Sequence, residues 1–380
     1  MITDMLAEIT ILLYLLSGSF FAAVFFSKKF EETISITILS SVCITFLFGM
    51  LGKLYWGFAF CLFLCIGLYF LSVIKLFRCK NISSIKSEFL TPSLLLFCIL
   101  YVVIIILVRG RVATNSDEFS HWMECVKAMT IHNDFSTNPL SHDDYRSYPP
   151  GMSLFQYIVE RIYLIFNSDV YFSEWVVYFA YQVFSVSLYF PFLKKIEWRR
   201  VYVFIFVIVG AYLTPSIFYN YVFSTVTIDP FVAILGGVGI STVVLLADSS
   251  VYSAAVIALM CVNLCLAKDV GIVFSIIMMV IYTIKINMLE VYTSPTKRVL
   301  RNIVVAGLPI VSMICCKKMW AYQMIITNTQ YKGVEKYLVK DFFDCFFLKN
   351  GTDYKQTIVD NYKEAIVNAD IAGISFLGGI

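Results

Sequence analysis

Two adjacent carboxylates open the part of the sequence whose residue types are best suited to catalysis. Asp117 and Glu118 begin segment 117–122, which reads Asp-Glu-Phe-Ser-His-Trp and includes His121. One carboxylate could act as a general base while its neighbour binds a metal ion or tunes the first group. We therefore assign Asp117 and Glu118 as candidate catalytic residues and His121 as a candidate substrate-binding residue. The alternative is a solvated helix start, with Ser116 or Asp117 as the N-cap.

A second candidate lies in segment 145–151, which reads Tyr-Arg-Ser-Tyr-Pro-Pro-Gly. Its two prolines and its glycine predict a fixed turn that opens the next helix, because proline suits the first helical turn. Arg146 could bind a phosphate and Tyr148 could hold a sugar ring, since a guanidinium matches the geometry of phosphate oxygens. The alternative is a rigid junction between a loop and a helix.

Two further charged residues stand at the ends of apolar stretches. Asp229 precedes Pro230, so it is either a site carboxylate or a helix N-cap. Lys268 lies between two apolar stretches that almost no loop separates. Its ammonium could bind a phosphate, or it could extend to the membrane boundary as a structural lysine. Ionisable residues at membrane depth are energetically unfavourable, so their presence favours a functional role.

Several other kinds of site find no support in the sequence. His121, His132 and His142 lack the spacing of a metal motif, and the eleven cysteines form no CxxC pair. We therefore predict no metal site from these residues. The sequence also has no phosphate-binding Walker loop, no dinucleotide fingerprint and no GxSxG elbow. A nucleotide-driven mechanism and a serine-hydrolase mechanism are therefore not indicated.

The composition predicts how these residues are positioned, because it is that of a membrane protein. Of the 380 residues, 59% are hydrophobic and 14% are charged, whereas a soluble domain carries about 25% charged residues. A membrane-spanning helix needs about 20 apolar residues. Apolar stretches of that kind predict an all-α polytopic bundle of about ten spans, at 9–27, 33–52, 54–74, 90–108, 172–193, 201–219, 229–247, 249–267, 270–288 and 302–316.

Lysine and arginine in short loops predict the orientation, because such loops stay cytoplasmic. One threading places all the basic clusters inside: Lys28 and Lys29; Lys75, Arg78, Lys80 and Lys86; Lys194, Lys195, Arg199 and Arg200; Lys285, Lys297, Arg298 and Arg301. A large outer loop then spans about 109–170, and all the candidate site residues lie on the outer side. Segment 151–166 cannot cross without reversing the third cluster, so we predict an interfacial or re-entrant helix there.

The order of these motifs resembles the GT-C membrane glycosyltransferases. The resemblance rests on Asp117 and Glu118 in a large outer loop, the Tyr-Pro-Pro-Gly turn, and Lys268 three residues before Gly271. It is greatest to bacterial members with Asp-Glu-Phe-Ser-His-Trp and Tyr-Pro-Pro-Gly elements, and it covers about residue 90 to the end. It implies a core at 90–316, preceded by an N-terminal transmembrane module at 1–89. Residues 317–380 would form an extracytoplasmic segment, which we expect to be incomplete because an apolar run starts where the chain stops.

The resemblance also implies roles for individual residues. Asp117 matches the acidic position that deprotonates or orients the acceptor, and Glu118 is its neighbour. Arg146 and Lys268 are implied as ligands of the donor phosphate, which a cation would stabilise as it leaves. Tyr148, Asp229 and His121 complete the candidate substrate-binding set. Inversion at the sugar carbon is expected, and the need for a divalent metal is left open.

We therefore predict a glycosyltransferase of the bacterial plasma membrane with its active site on the outer face. Its partners would be a polyprenyl-phosphate-sugar donor, a cell-envelope glycan or lipid-linked acceptor, and membrane lipids, with no nucleic acid. One alternative is a polysaccharide polymerase or ligase, which would move whole repeat units. Another is a lipid-linked sugar transporter or flippase, although transporters often have broken helices at mid-membrane, whereas the polar residues here cluster at one face. A purely structural membrane role is the remaining alternative.

Overall fold

The protein is a bundle of α-helices. The computed structural model describes residues 2–79, 85–196, 198, 205, 209–210, 224–248, 250–289, 295–330, 356–357, 360–361, 364, 370–371 and 374–375. Within these ranges the α-helices are α1 Ile2–Phe26, α2 Phe30–Met50, α3 Leu54–Cys79, α4 Pro92–Val108, α5 Met123–His132, α6 Gly151–Phe166, α7 Glu174–Ser187, α8 Ile228–Leu245, α9 Val251–Ala267, α10 Gly271–Leu289 and α11 Pro295–Ile326. Two π-helical turns cover Ile85–Phe89 and Glu118–Trp122, and a 3-10 helix covers Phe190–Lys195.

The predicted all-α class is confirmed for these residues, apart from one pair of two-residue strands. The strands β1 Asp370–Ile371 and β2 Ile374–Ser375 are antiparallel. The helix α11 continues to Ile326, ten residues past the end of the apolar stretch at residue 316. The predicted C-terminal segment otherwise lies largely outside the described residues.

Six of the predicted spans correspond to helices that are long and apolar enough to cross a membrane. These are α1, α2, α3, α8, α10 and the continuous stretch of α7 with the following 3-10 helix. The helices α4 and α9 are apolar but shorter, at 17 residues each. The predicted span at 201–219 lies largely outside the described residues. The protein is therefore a multi-pass membrane protein.

Contacts between helix termini define one end of the bundle, which we call the loop end. Arg109, just after α4, pairs with Glu8 near the start of α1. The ring of Phe135, in the loop after α5, lies 5.8 Å from the ring of Phe46 near the end of α2. The carboxylate of Glu174, at the start of α7, accepts a hydrogen bond from the backbone of the loop after α4. The segment 109–150 therefore covers this end.

Lysines from all four predicted basic clusters mark the opposite end, which we call the basic end. Lys194 pairs with Glu32 at 2.8 Å, and Lys28 lies over the ring of Tyr252. Lys195 and Lys285 donate hydrogen bonds to backbone carbonyls in the last turn of α8. Lys75 stacks over Phe25 in the last turn of α1. Cations are favourable at this position because the carboxyl end of a helix carries partial negative charge.

The helix α6 does not run between these two ends. Its first residue, Gly151, packs on the backbone of Leu266 near the end of α9, and a Cβ there would lie 2.7 Å from the Leu266 carbonyl carbon. Near its other end, the hydroxyl of Tyr163 donates to Asp4 at the start of α1. Both contacts lie at the loop end, so α6 crosses that end from α9 to α1. This path agrees with the prediction that 151–166 does not traverse the bundle.

Other helices cover most of the surface of α6. Twelve of its sixteen residues are buried, and it packs against α1, α2, α5, α7 and α9. The charge of Arg161 is met by the carbonyl of Thr130 and the side chain of Asn133. Glu160 accepts a hydrogen bond from the backbone of Ser173, and burial raises the pKa of this carboxyl to about 8. Most Glu160 side chains are therefore protonated at neutral pH.

A tight turn between α9 and α10 fixes the position of Lys268. The backbone N–H of Gly271 donates to the carbonyl of Lys268 at 2.9 Å. A Cβ on Gly271 would lie only 2.0 Å from the carbonyl oxygen of Leu264. Only glycine therefore fits this close approach of two helices.

We expect Gly271→Ala to destabilise the protein, because the added methyl group forces the two helices apart. Overpacking of this kind costs about 1–3 kcal/mol. The measurement is thermal unfolding of the purified protein in detergent. Gly237→Ala in α8 is the matched control, since a Cβ there meets open space and alanine is the better helix former. Equal unfolding temperatures for the two variants would contradict the packing argument.

Candidate functional site

Glu118 holds together three separate segments at the loop end. Its side chain is fully buried. One carboxylate oxygen accepts hydrogen bonds from the backbone N–H groups of Thr114 and Asn115, at 2.9 and 3.0 Å. The other accepts from the hydroxyl of Tyr178 at 2.8 Å and from the N–H of Val226 at 2.7 Å. Because a carboxylate accepts about four hydrogen bonds, this set satisfies Glu118. The geometry therefore favours a positioning role for Glu118 over a catalytic one.

Asp117 is the member of the carboxylate pair that faces outward. It is exposed, and its side chain caps no backbone N–H of the following helix. Asp117 is therefore at the N-cap position of the following turn, but its side chain makes no capping hydrogen bond. Its own N–H donates to the side-chain oxygen of Asn115 at 3.1 Å, which fixes the backbone beneath the carboxylate. The adjoining π-helical turn Glu118–Trp122 has one residue more per turn than an α-helix, a feature common at functional sites.

An aromatic cluster follows the carboxylates and consists of His121, Trp122, Tyr145 and Tyr148. The ring of Tyr148 stacks on those of Tyr145 and Trp122, with centroids 5.4 and 5.8 Å apart. The imidazole of His121 meets the Tyr148 ring edge to face at 5.2 Å. Tyr148 is half-buried and Tyr145 is exposed, so the cluster presents ring surface at the loop end. Such a surface can pack against the apolar face of a sugar ring.

Asp143 holds His121 in place. This buried carboxylate was not predicted from the sequence to belong to the site. Its Nδ1 lies 2.5 Å from Oδ1 of Asp143, and both side chains are buried. The same Asp143 oxygen accepts the backbone N–H of Tyr145 at 2.8 Å. Within the described residues, Nε2 of His121 and Oδ2 of Asp143 have no hydrogen-bond partner. The pair therefore orients the imidazole against the aromatic cluster.

Lys268 connects the aromatic cluster to Asp229. Its Nζ lies 5.9 Å from the ring centroid of Tyr148 and 2.5 Å from Oδ1 of Asp229. Asp229 lies in the first turn of α8, where Thr227 is the N-cap residue, so the N-cap alternative for Asp229 is not observed. A second ion pair, between Asp269 and Lys317, lies beside the first. Lys268 is therefore held at the loop end by a carboxylate that is itself 73% exposed.

Arg146 lies on a turn whose backbone is fixed from another helix. The indole N–H of Trp320, in α11, donates to the carbonyl of Ser147 at 2.9 Å. The side chain of Arg146 is partly exposed, and in the described part of the chain it forms no ion pair. The backbone that carries Arg146 is thus fixed from α11, and a guanidinium at this position can bind an anion.

The structure brings all seven predicted site residues to the loop end. Contacts link His121 to Tyr148, Tyr148 to Lys268, and Lys268 to Asp229. Glu118 reaches the same region through Val226, three residues before Asp229. Among the residues that the structure describes, no group of three His, Cys, Asp or Glu side chains could hold a metal ion.

Sequence analysis missed four residues that shape this site: Asp143, Trp320, Tyr178 and Arg111. The guanidinium of Arg111 lies 5.2 Å from the ring of Tyr178, next to Glu118. Arg111 and Asp143 lie in the same polar loop as the predicted residues, which was the one available signal. Tyr178 and Trp320 lie in helices, where their sequence pattern is that of ordinary apolar positions.

Comparisons with known proteins identify no similar protein. No protein family, curated protein or solved structure matches the chain. The resemblance to membrane glycosyltransferases therefore remains a prediction from short motifs.

We expect Glu118→Gln to destabilise the loop end strongly. The amide nitrogen of glutamine would face N–H and O–H donors, and a buried donor left without an acceptor costs about 1–3 kcal/mol. Tyr178→Phe removes one hydrogen bond, so its effect should be smaller, at about 1 kcal/mol. Thermal unfolding in detergent measures both. Asp117→Asn, at the exposed neighbour, is the control, and a Glu118→Gln protein as stable as this control would contradict the positioning role.

Proposed function

We propose that the protein is a membrane glycosyltransferase that moves a sugar from a polyprenyl-phosphate donor to a cell-envelope glycan or lipid-linked acceptor. One observation carries the proposal. An exposed carboxylate, an aromatic cluster and the two cations Lys268 and Arg146 lie together at one end of a bundle of apolar helices. This is the set of groups that transfer from a lipid phosphate requires.

The proposed reaction assigns one task to each group. Asp117 accepts the proton of the acceptor hydroxyl as the hydroxyl oxygen attacks the anomeric carbon of the donor sugar. The bond between that carbon and the phosphate oxygen breaks, and the phosphate leaves with the electron pair. Lys268 and Arg146 stabilise the negative charge on the leaving phosphate. Direct displacement inverts the configuration at the sugar carbon.

The remaining residues position these groups. Glu118 anchors the backbone that carries Asp117, and the ring of Tyr148 lies between His121 and Lys268, where a sugar can pack. Asp229 holds the Lys268 ammonium until the donor phosphate replaces it as the partner. The polyprenyl tail stays in the bilayer while its phosphate reaches the loop end.

The proposal includes an orientation in the membrane. The basic end faces the cytoplasm, because lysine-rich ends of membrane helices stay inside. The loop end is then extracytoplasmic, in a bacterial plasma membrane that the chain crosses about ten times. The polar residues of the site lie at one end rather than at mid-membrane, which favours transfer over transport. Single-sugar products rather than long ladders would distinguish the transferase from a polymerase or ligase.

We expect Asp117→Asn to reduce sugar transfer by about 10²–10⁴-fold, the usual contribution of a general base. The measurement is transfer of labelled sugar from a polyprenyl-phosphate donor in membrane vesicles. The protein should still insert and fold, because the Asp117 side chain is exposed. Asp169→Asn, at an exposed carboxylate between α6 and α7, is the matched control. Transfer by Asp117→Asn at the control rate would remove the assigned role.

We expect Lys268→Ala to raise the KM for the lipid-linked donor by about 10–100-fold, because a hydrogen bond to a charged group is lost. The KM for the acceptor should change little. Lys127→Ala, at an exposed lysine of α5, is the matched control. Donor kinetics of Lys268→Ala that equal those of the control would defeat the phosphate assignment.

A further inference from the structure

Two cavities at the basic end share Tyr252 in their lining. The smaller, of about 260 Å³, is lined by residues of α2, the 3-10 helix, α8 and α9, including Lys194 and Lys195. The larger, of about 670 Å³, is lined mainly by residues of α1, α2 and α3, together with Lys28 and Tyr252. Both volumes are of the order of the about 300–1,000 Å³ that a bound small molecule fills.

The larger cavity is apolar although its wall contains many hydroxyl groups. The hydroxyls of Ser17 and Ser41 donate to carbonyls of their own helices at 2.7 and 2.8 Å, and that of Thr37 does so at 3.3 Å. Tyr14 donates to the Ser41 oxygen at 2.6 Å. These bonds use the hydroxyl protons within the helices, and the exposed wall of the cavity is mostly apolar. The cavity is therefore suited to hydrocarbon.

The charges around the two cavities are predominantly positive. Of the charged residues that line them, three are lysines and one is Glu32. Glu32 pairs with Lys194 at 2.8 Å and lies 4.0 Å from Lys28, while Lys195 donates to the carbonyl of Leu245. An ammonium has three N–H donors, so each lysine retains donors after these contacts. The net excess of two positive charges favours an anion between the cavities.

We propose that the basic end binds one anionic phospholipid. Its phosphate contacts Lys28 and Lys194 beside Tyr252, and one of its acyl chains occupies the larger cavity. Basic pockets between membrane helices bind anionic headgroups in this way, because lysine and arginine attract the headgroup charge. Such lipids are abundant in the cytoplasmic leaflet. The site lies at the opposite end from Asp117 and Lys268, so the inference does not depend on the transferase reaction.

The test uses the 380-residue protein in detergent with phosphatidylglycerol or phosphatidylcholine of the same acyl chains. Native mass spectrometry counts the bound lipid. We expect one retained phosphatidylglycerol per protein and no retained phosphatidylcholine. The double variant Lys28→Gln, Lys194→Gln should weaken phosphatidylglycerol binding about thirtyfold. Lys75→Gln, at a basic-end lysine that lines neither cavity, should bind as the natural protein does.

A second arm tests the acyl chain. Ala22 lines the larger cavity, so Ala22→Phe should fill it and abolish retention while every lysine remains. Two further measurements need no variant and use the unfolding temperature of the protein. We expect that inorganic phosphate alone does not raise this temperature, and that a phosphatidylglycerol with short acyl chains does not raise it either. Equal retention of the two lipids, equal weakening by Lys75→Gln, or full stabilisation by inorganic phosphate would each overturn the proposal.

Discussion

The arrangement of the loop end depends on one buried carboxylate. Glu118 accepts four hydrogen bonds, from the loop after α4, from α7 and from the segment before α8. An ionised group is taken out of water only when its oxygens are fully satisfied. The three segments must therefore meet in one arrangement, which fixes Asp117 on one side of Glu118 and brings the start of α8 to the other.

Much of the fold could be predicted from residue types along the chain. Six predicted spans match helices that are long and apolar enough, because the length of a membrane helix is set by bilayer thickness. The bounds of α6 agree with the predicted 151–166, since Pro149 and Pro150 fix its start. Its surroundings could not be predicted, because an apolar face buried in protein has the same sequence pattern as one buried in lipid.

The shared position of the seven candidate residues could be predicted from the sequence, whereas the contacts among them could not. All seven predicted residues lie at the loop end, because motifs that flank membrane spans are brought to one boundary by the spans themselves. The roles of the two adjacent carboxylates could not be separated from sequence. Successive helical residues point in different directions, and which of them turns inward depends on Tyr178 and Val226, which are 60 and 108 residues away. The pairing of His121 with Asp143, 22 residues away, likewise depends on how the loop folds back on itself.

The helix α6 also fixes a distance. One of its ends is held against α9 at Gly151, and the other against α1 through Tyr163 and Asp4. Twelve helical steps separate Gly151 from Tyr163 and measure about 18 Å, so this helix sets the separation of α1 and α9. One residue more or fewer would rotate the far end by about 100° and turn Tyr163 away from its partner. The segment is thus under a constraint of length as well as of composition, unlike the loops at either side of it.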